Sequence, residues 1–321
     1  MISQCNNKKW ILPGQINRMR ILITGSNGFV AQKFCELWQH NQIEGVLLGV
    51  SKTANRNKDL PSSSFRQCDL IDLEALNDLL TAFRPTHILH TAALSSVESC
   101  VDNPDMAQRI NVDLTTFLGE YATSHNAHLT FLSTDFVFDG IQGPYKEEDL
   151  TAPVNAYGES KVRAEESLLT LEGKIAILRT ILVYGCISDS KRGNLVLWAK
   201  KQLEEGNPIR VVRDQWRMPT WVDDLAQACF LAMKKEAQGL FHISGSELYS
   251  IEEVVYQVAD YWNLDKSLIS SITAKDIGQD QNRPARTGFV LDKARTVLGF
   301  TPTPFVVSLQ KIDEQLKQHN S

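Results

Sequence analysis

Short, nearly continuous apolar runs alternate with amphipathic stretches along this chain from Arg20 onward. The runs at 21–23, 46–50, 87–90 and 129–132 have the length of strands, and leucines recur at helical spacing in the stretch from Asp72 to Phe83. Strands that are apolar throughout are typical of a parallel sheet covered by helices on both faces. The pattern therefore predicts an α/β fold, a doubly wound, Rossmann-like parallel sheet that binds its ligands beyond the carboxyl ends of its strands.

The 321 residues are expected to form two unequal parts behind a short leader. Residues 1–18 are polar and lack periodicity, which predicts a flexible leader. In residues 19–184 apolar runs and amphipathic stretches alternate regularly, and we expect these residues to form the dinucleotide-binding domain. This alternation is less regular in residues 185–321. We expect these residues to form mostly a smaller, interleaved C-terminal substrate lobe, with parts of 209–245 returning to the sheet domain.

Composition narrows the class of protein. The net charge of −5 and the hydrophobic content of 43% exclude a disordered chain and argue against a nucleic-acid or anionic-membrane surface. No apolar run approaches the roughly 20 residues of a spanning helix, and the N-terminus does not read as a signal peptide. The six cysteines are scattered without metal-ligand spacing. We expect reduced thiols, no metal site and a cytoplasmic location.

The turn after the first strand has the spacing of a dinucleotide site. Gly25 allows a tight turn, Gly28 lets the backbone approach a pyrophosphate at a helix N-terminus, and Ala31 is the small residue in G-x-x-G-x-x-A. The alternative is a glycine-rich turn without a ligand. The candidate cofactor-binding residues of this turn are Gly25, Asn27, Gly28, Phe29 and Val30.

The second strand ends in Ser51-Lys52 rather than in an acidic residue that would bind a ribose 2′-hydroxyl. A hydroxyl and an ammonium can instead hold a 2′-phosphate, so the sequence predicts NADP(H) in preference to NAD(H). Lys52 could alternatively be a solvated loop charge. Asp69 is a candidate partner of the adenine amine, with a helix cap or a surface carboxylate as the alternative. Further candidates at strand ends are Leu70, Ala92, Ala93 and Ser133.

Tyr157 and Lys161 lie four residues apart, on one face of a predicted helix. An ammonium beside a phenol stabilises the phenolate, so we expect Lys161 to lower the pKa of Tyr157 and to hold the nicotinamide ribose. Alone this spacing is common on surface helices. Thr134, at the end of the preceding strand beside Ser133, supplies a hydroxyl that can polarise a carbonyl. We therefore expect Thr134, Tyr157 and Lys161 to be the catalytic residues.

These motifs resemble those of the extended short-chain dehydrogenase/reductases. The segment Ser133-Thr134-Asp135-Phe136-Val137-Phe138-Asp139-Gly140 is most similar to the S-T-D-Y-V-F-D-G segment of the dTDP-4-dehydrorhamnose reductases. The resemblance covers roughly Arg20 to the C-terminus. It implies NADPH-dependent reduction of the 4-keto group of a nucleoside-diphosphate sugar, in which Tyr157 protonates the alkoxide that Thr134 hydrogen-bonds. Asn111 matches a helix asparagine of the family with a structural or proton-relay role, and could equally be a packing amide.

Several positions expected to line the sugar pocket depart from the family. Phe136 replaces a tyrosine, the bulky Trp216-Arg217-Met218 stands where small residues are common, and Leu94-Ser95-Ser96 replaces an aromatic-containing segment. The predicted substrate-binding residues are Thr134, Phe136, Asn194, Trp216 and Arg283. Asn194 could instead cap a helix, Trp216 could be buried between lobes, and Arg283 could be in a salt bridge rather than on the diphosphate.

Two other functions stay open. One is a sugar-nucleotide epimerase or dehydratase of the same fold, although dehydratases usually carry an acidic pair directly after the strand-end threonine and this chain has Asp135-Phe136. The other is a non-catalytic, NADP-binding regulatory subunit like that of methionine adenosyltransferase, which some relatives of the reductase are. The expected partner is a small nucleotide sugar, without nucleic acid or membrane, and a homodimer is possible.

Overall fold

The computed structural model describes residues 19–187 and 193–320. The expected leader, residues 1–18, lies outside the described residues. Among the described residues no helix combines the length and the apolar character needed to cross a membrane. The five cysteines in this part of the chain form no disulfide with one another: Cys35, Cys68, Cys100, Cys186 and Cys229.

A parallel sheet of seven strands forms the centre of the molecule, in the order β11-β6-β5-β4-β1-β2-β3. The strands of the described residues are β1 (Met19–Thr24), β2 (Gly45–Ser51), β3 (Phe65–Gln67), β4 (His87–His90), β5 (His128–Thr134), β6 (Lys174–Thr180), β7 (Val183–Tyr184), β8 (Ile209–Val212), β9 (Trp216–Arg217), β10 (Thr220–Trp221), β11 (Gly239–Ile243), β12 (Tyr249–Ser250) and β13 (Ile269–Ile272). The order reverses beside β1, which places a ligand crevice between β1 and β4 at their carboxyl ends.

Ten α-helices connect and cover these strands in the described part of the chain. They are α1 (Phe29–His40), α2 (Leu73–Phe83), α3 (Val97–Asp102), α4 (Pro104–Ala107), α5 (Leu114–Ser124), α6 (Ala156–Leu169), α7 (Leu195–Glu204), α8 (Val222–Lys234), α9 (Ile251–Tyr261) and α10 (Phe305–Asn320). Two π-helical segments are Gln108–Asp113 and Ala294–Leu298, and four 3-10 turns are Ser62–Ser64, Asp135–Val137, Lys266–Leu268 and Ala274–Ile277.

The alternation of side chains along the strands divides the core between the two faces of the sheet. Ile21 and Ile23 of β1 pack with α1 and α8 on one face, whereas Leu22 packs with α2, α5 and α6 on the other. All three side chains are fully buried. Both faces of the central strand are therefore covered, which confirms the predicted doubly wound α/β fold.

A smaller lobe stands at the carboxyl edge of the sheet. Its core joins α7, α9 and α10, and its short strands pair as β7 with β10, β8 with β13 and β9 with β12. The strand β11 returns to the central sheet, and α8 packs against α1. The strand β8 also lies within 209–245, and it pairs with β13 in the lobe.

The stretch from Asn103 to Ser124 is not one continuous α-helix. It comprises α4, the π-helical segment and α5, and a separate short helix, α3, precedes it. The six residues of α3 are too few to show a helical repeat in the sequence. π-Helical turns are common at functional sites, and this one contains Asn111.

Candidate active site

The glycine-rich turn leaves room for backbone contact with an anion. Gly25 has φ +68°, and a Cβ at that position would lie 2.9 Å from the backbone of Ala92. Gly28 precedes α1, and no side chain caps the N–H groups of the first turn of that helix. Free N–H groups and the helix dipole suit a phosphate. The residues present therefore fit the pyrophosphate of a dinucleotide, and Phe29 and Val30 begin the helix at this point.

The loop after β2 is tied to this turn by Asn27. Its Nδ2 donates to the carbonyls of Thr53 (3.4 Å) and Ala54 (2.8 Å) and to the Thr53 hydroxyl (3.1 Å), and its Oδ1 accepts from the N–H of Arg56 at 2.8 Å. In this structure the Asn27 side chain therefore serves to hold the loop.

The hydroxyl of Ser51 does not face solvent, as 2′-phosphate binding would require. Ser51 is 6% exposed, and its Oγ lies 3.2 Å from the hydroxyl of Ser26 and 3.2 Å from the backbone N of Asn27. The structure thus differs from the expectation for this residue, because the end of β2 turns its side chain inward onto the glycine-rich turn.

Lys52 and Asp69, both predicted to contact the adenosine half, pair with each other. The Lys52 Nζ lies 2.8 Å from the Asp69 Oδ2, and this contact is the main reason that the pKa of Asp69 is lowered. The helix cap considered for Asp69 is supplied by Asp72, whose carboxylate accepts from the N–H of Ala75. Leu70 is buried in the core, so only its backbone is available to a ligand.

The catalytic candidates meet where β5 ends and α6 begins. Asn155 caps α6, its Oδ1 accepting from the N–H of Gly158 at 2.8 Å. This start places Tyr157 in the first turn of α6, near enough to Thr134 for the Thr134 side chain to lower the pKa of the phenol against the effect of burial. Lys161 follows one turn later and is 2% exposed. The structure therefore brings Thr134, Tyr157 and Lys161 together.

The expected effect of Lys161 on Tyr157 is wrong. Burial, followed by the charge of Asp135, raises the pKa of Tyr157 above its usual value, and the hydrogen bond with Thr134 opposes this. Lys161 directs its Nζ to the carbonyl of Leu132, at 2.6 Å, and lies 4.0 Å from the Phe131 ring centroid. Burial lowers the pKa of Lys161 to about 7. The amine is thus engaged with the strand rather than with the phenol.

Ser133, expected to contact the cofactor, is 3% exposed, and its hydroxyl donates a short hydrogen bond to Glu165 Oε1. Glu165 is paired with Arg179 at 2.6 Å, both side chains being buried. The Arg179 guanidinium in turn lies 3.4 Å from Nε2 of His242. This buried network joins α6 to β6 and β11, so the structure assigns the Ser133 side chain to packing beneath the site.

Asp135 connects Thr134 to the smaller lobe, and sequence reasoning did not identify Asp135 as part of the site. Its Oδ1 accepts from the Thr134 hydroxyl at 3.2 Å, and its Oδ2 accepts from the Thr287 hydroxyl at 2.5 Å. The Arg217 Nε lies 3.6 Å from the same Oδ2. Burial raises the pKa of Asp135, and the Arg217 charge opposes that shift. The bulky Trp216-Arg217-Met218 segment was the sequence signal for this contact.

Phe136 and Arg283 stand beside Tyr157. The Phe136 ring packs edge-on against Tyr157, with centroids 6.2 Å apart, and the Arg283 guanidinium lies 5.7 Å from the Phe136 centroid. Arg283 also forms an ion pair with Glu98 at 2.5 Å. Glu98 carries no sequence motif that pointed to the site.

The remaining substrate candidates have structural contacts. Asn194 caps α7, accepting from the N–H of Leu197 at 3.2 Å and donating to the carbonyl of Gly185 at 2.8 Å. This arrangement matches the helix-cap alternative and leaves its role toward a substrate a prediction. Trp216 is partly buried, and the Arg286 guanidinium lies 5.9 Å from its ring.

Asn111 joins the loop after β4 to α6. Its amide accepts from the N–H of Leu94 at 2.8 Å and donates to the Leu94 carbonyl at 3.0 Å and to the Ser160 hydroxyl at 2.9 Å. Ala92 and Ala93 lie just before this loop. Among residues 19–187 and 193–320, no three His, Cys, Asp or Glu side chains gather as metal ligands would.

Comparison with known proteins finds a family model and two groups of curated relatives that are similar to this chain. A family model described as the RmlD substrate binding domain matches residues 19–318. The chain is 29% identical over 301 residues to "Methionine adenosyltransferase 2 subunit beta" of Pongo abelii, covering 92% of this chain and 87% of that protein. It is 28% identical over 305 residues to "dTDP-4-dehydrorhamnose reductase" of Aggregatibacter actinomycetemcomitans, covering 91% and 98%.

The fold is shared with solved structures. The dTDP-4-dehydrorhamnose reductase of Bacillus anthracis, solved in complex with NADP, superposes with a TM-score of 0.78 at 24% identity, covering 93% of this chain and 99% of that one. At this identity the likeness establishes the fold.

Proposed function

The chain belongs to the RmlD substrate binding domain family, and from that premise we propose that it is an NADPH-dependent oxidoreductase. Its proposed reaction is reduction of the 4-keto group of a nucleoside-diphosphate sugar, such as dTDP-4-dehydrorhamnose to dTDP-L-rhamnose. The observation that carries this proposal is the placement of Thr134, at the carboxyl end of β5, with Tyr157 and Lys161 in the first turns of α6. The N-terminus of α1 follows the neighbouring part of the same sheet and fits a pyrophosphate.

The chemistry follows from the protonation of these side chains. NADPH, when bound, supplies the hydride. Tyr157 is a protonated phenol at neutral pH, and hydride addition turns the carbonyl oxygen into an alkoxide basic enough to take the phenolic proton even though burial raises the pKa of Tyr157. Thr134 is placed to hydrogen-bond the same oxygen. Lys161 is proposed to hold the cofactor ribose, with Gly25, Gly28 and the first turn of α1 against the pyrophosphate.

The preference for NADP(H) over NAD(H) rests on two points. Lys52 presents an exposed ammonium after β2, where no acidic side chain stands to bind a ribose 2′-hydroxyl. The Bacillus anthracis relative was solved with NADP. Because Ser51 faces inward, the proposed 2′-phosphate contact involves Lys52 without the Ser51 hydroxyl.

The test is NADPH oxidation with dTDP-4-dehydrorhamnose, with NADH compared in the same assay. Loss of the phenolic proton in Tyr157→Phe should lower kcat by roughly 10²- to 10⁴-fold, the usual contribution of a general acid. The matched control is Tyr256→Phe, which removes a partly buried hydroxyl from α9, outside the site. Equal turnover in wild type and Tyr157→Phe would contradict the assignment.

Among related reactions, reduction is favoured over dehydration. Dehydration would require a free acid after Thr134, but Asp135 is buried against Arg217 and Thr287. A carboxylate held by these partners is poorly placed to exchange protons with a substrate.

A second candidate function is that of an NADP-binding regulatory subunit of methionine adenosyltransferase. It is favoured by the match to the beta subunit named above, which spans 92% of this chain. Tight NADPH binding without turnover of any keto sugar, together with altered activity of an added methionine adenosyltransferase catalytic subunit, would support this function over the reductase.

A further inference from the structure

An ion pair involves Arg283, one of the predicted substrate-binding residues. Glu98, in the first turn of α3, binds Nη2 of Arg283 through its Oε1 at 2.5 Å. Its other oxygen accepts from the Ser96 hydroxyl at 2.9 Å. The Glu98 side chain is 61% exposed, whereas that of Arg283 is 22% exposed. The carboxylate can therefore leave for solvent at little cost, but the guanidinium is held at the site.

Two buried polar atoms next to this pair lack partners among the described residues. They are Nε of Arg283, a donor, and Oδ1 of Asn282, an acceptor. A buried donor or acceptor without a partner is costly, so such atoms commonly meet a ligand or water. A guanidinium binds two oxygens of a phosphate side by side through Nε and Nη2, and here Glu98 satisfies Nη2 alone.

The pair is connected to the surroundings of the proposed catalytic acid. The Arg283 guanidinium is 5.7 Å from the Phe136 ring, whose edge-on partner is Tyr157. The carbonyl of Asn282 accepts from Nδ2 of Asn155, the residue that caps the helix carrying Tyr157, at 3.0 Å. Arg283 and Tyr157 therefore share Phe136 as a neighbour.

A second guanidinium faces Phe136 but is not available for exchange. Arg217 lies 5.8 Å from the Phe136 ring, is 4% exposed and is paired with the buried Asp135. It also donates to the carbonyls of Trp216 and Pro284, each at 2.7 Å. Of these two arginines, Arg283 is thus the one whose anionic partner can be replaced.

We propose that Glu98 is a specificity-determining residue, whose carboxylate occupies Arg283 until the diphosphate of a nucleotide sugar displaces it. This inference rests on the proposed function and adds a condition to it. A neutral sugar or nucleoside carries no negative charge to replace the carboxylate on Arg283, so the ion pair between Glu98 and Arg283 stays intact. A diphosphate carries more charge than one carboxylate and can bind Nε and Nη2 of Arg283 together. It therefore displaces Glu98 from Arg283 and releases α3 from this contact.

The experiment is equilibrium binding of dTDP and UDP, with thymidine as the uncharged probe, measured by titration calorimetry. Because the competing pair is partly exposed, Glu98→Gln should bind dTDP about two- to fivefold more tightly than wild type. Arg283→Gln should weaken dTDP binding about tenfold by loss of a charge-assisted contact. Thymidine affinity should be equal in all three proteins. The matched control is Glu120→Gln, which removes the same charge from an exposed position on α5.

The double variant separates competition from a general change in charge. The tighter dTDP binding of Glu98→Gln should vanish in Glu98→Gln/Arg283→Gln. An equal gain in that background, an unchanged dTDP affinity in Glu98→Gln, or no binding of dTDP and UDP by wild type would each overturn the role of Glu98. Keto-sugar turnover is assayed separately. If the keto sugar is turned over but Glu98→Gln does not bind dTDP more tightly, only the role of Glu98 is overturned. If Glu98→Gln binds dTDP more tightly but no keto sugar is turned over, only the reductase function is overturned.

Discussion

At the scale of single residues, burial rather than spacing sets the protonation of the site. Tyr157 and Lys161 lie one turn apart, as the sequence indicates, but both pKa values shift away from the charged form because both groups are removed from water. A phenol that stays protonated is suited to act as an acid. A lysine with a pKa of about 7 is only partly charged at neutral pH.

The lowered pKa of Lys161 predicts a pH dependence of stability. In the unfolded chain the Lys161 ammonium has its ordinary pKa of 10.5, and in the folded protein its pKa is about 7. Between these values the unfolded state binds more protons, so the contribution of Lys161 to the free energy of unfolding increases as pH rises. This contribution is least favourable below pH 7, where both states are charged and the folded protein buries that charge.

The prediction is tested by denaturant unfolding of wild type and Lys161→Met from pH 7 to 10. The difference in free energy of unfolding between them should grow in favour of wild type by roughly 1 kcal/mol per pH unit. The control is Lys58→Met at an exposed position, for which the free energy of unfolding should change with pH as it does in wild type. If the free energies of unfolding of wild type and Lys161→Met changed with pH in parallel, Lys161 would have the same pKa in the folded and the unfolded protein.

At the scale of elements, the position of α6 against β5 determines whether the Tyr157 side chain lies close to that of Thr134. Local sequence starts this helix at Asn155, but its position depends on the π-helical segment, from which Asn111 reaches both the Leu94 backbone and Ser160. The widened turn is not visible in the sequence, because the apolar repeat continues through it. The structure thus gives Asn111 a packing role between two elements of the site.

Loss of the Asn111 amide should destabilise the protein. Asn111→Ala leaves the partly buried N–H and carbonyl of Leu94 without this partner, which should cost about 1–3 kcal/mol of unfolding free energy. Asn103→Ala is the matched control, since that exposed amide makes a single bond to the Ser99 carbonyl. It should change stability by less than about 0.5 kcal/mol. Equal effects in chemical denaturation would contradict the role given to Asn111.

At the scale of the whole molecule, the buried pair of Asp135 and Arg217 links the two lobes. Asp135 follows the central strand β5, and Arg217 lies in the lobe strand β9. Both are at most 4% exposed. Because Asp135 also accepts from Thr134, the position of the lobe is coupled to the catalytic hydroxyl.

Breaking this pair should reveal the coupling. Arg217→Met leaves Asp135 buried without its cation, which should cost about 3 kcal/mol of unfolding free energy. The double variant Arg217→Met/Asp135→Asn should recover part of that loss, because the uncompensated charge is gone. A double-mutant cycle measured by denaturant unfolding gives the coupling energy. Purely additive effects would mean that the two residues do not interact.

The sequence by itself determined the parallel sheet, the strand-end positions of the glycine-rich turn and Thr134, and the helix that carries Tyr157 and Lys161. These features follow from local periodicity and turn chemistry, which depend on neighbours a few residues away. The tertiary structure decided which atoms meet. It turned Ser51 and Ser133 inward, directed Lys161 to the Leu132 carbonyl, and brought Glu98 to Arg283 and Asp135 to Arg217. Such contacts join distant segments, and their energies depend on burial, which arises only when the lobes pack together.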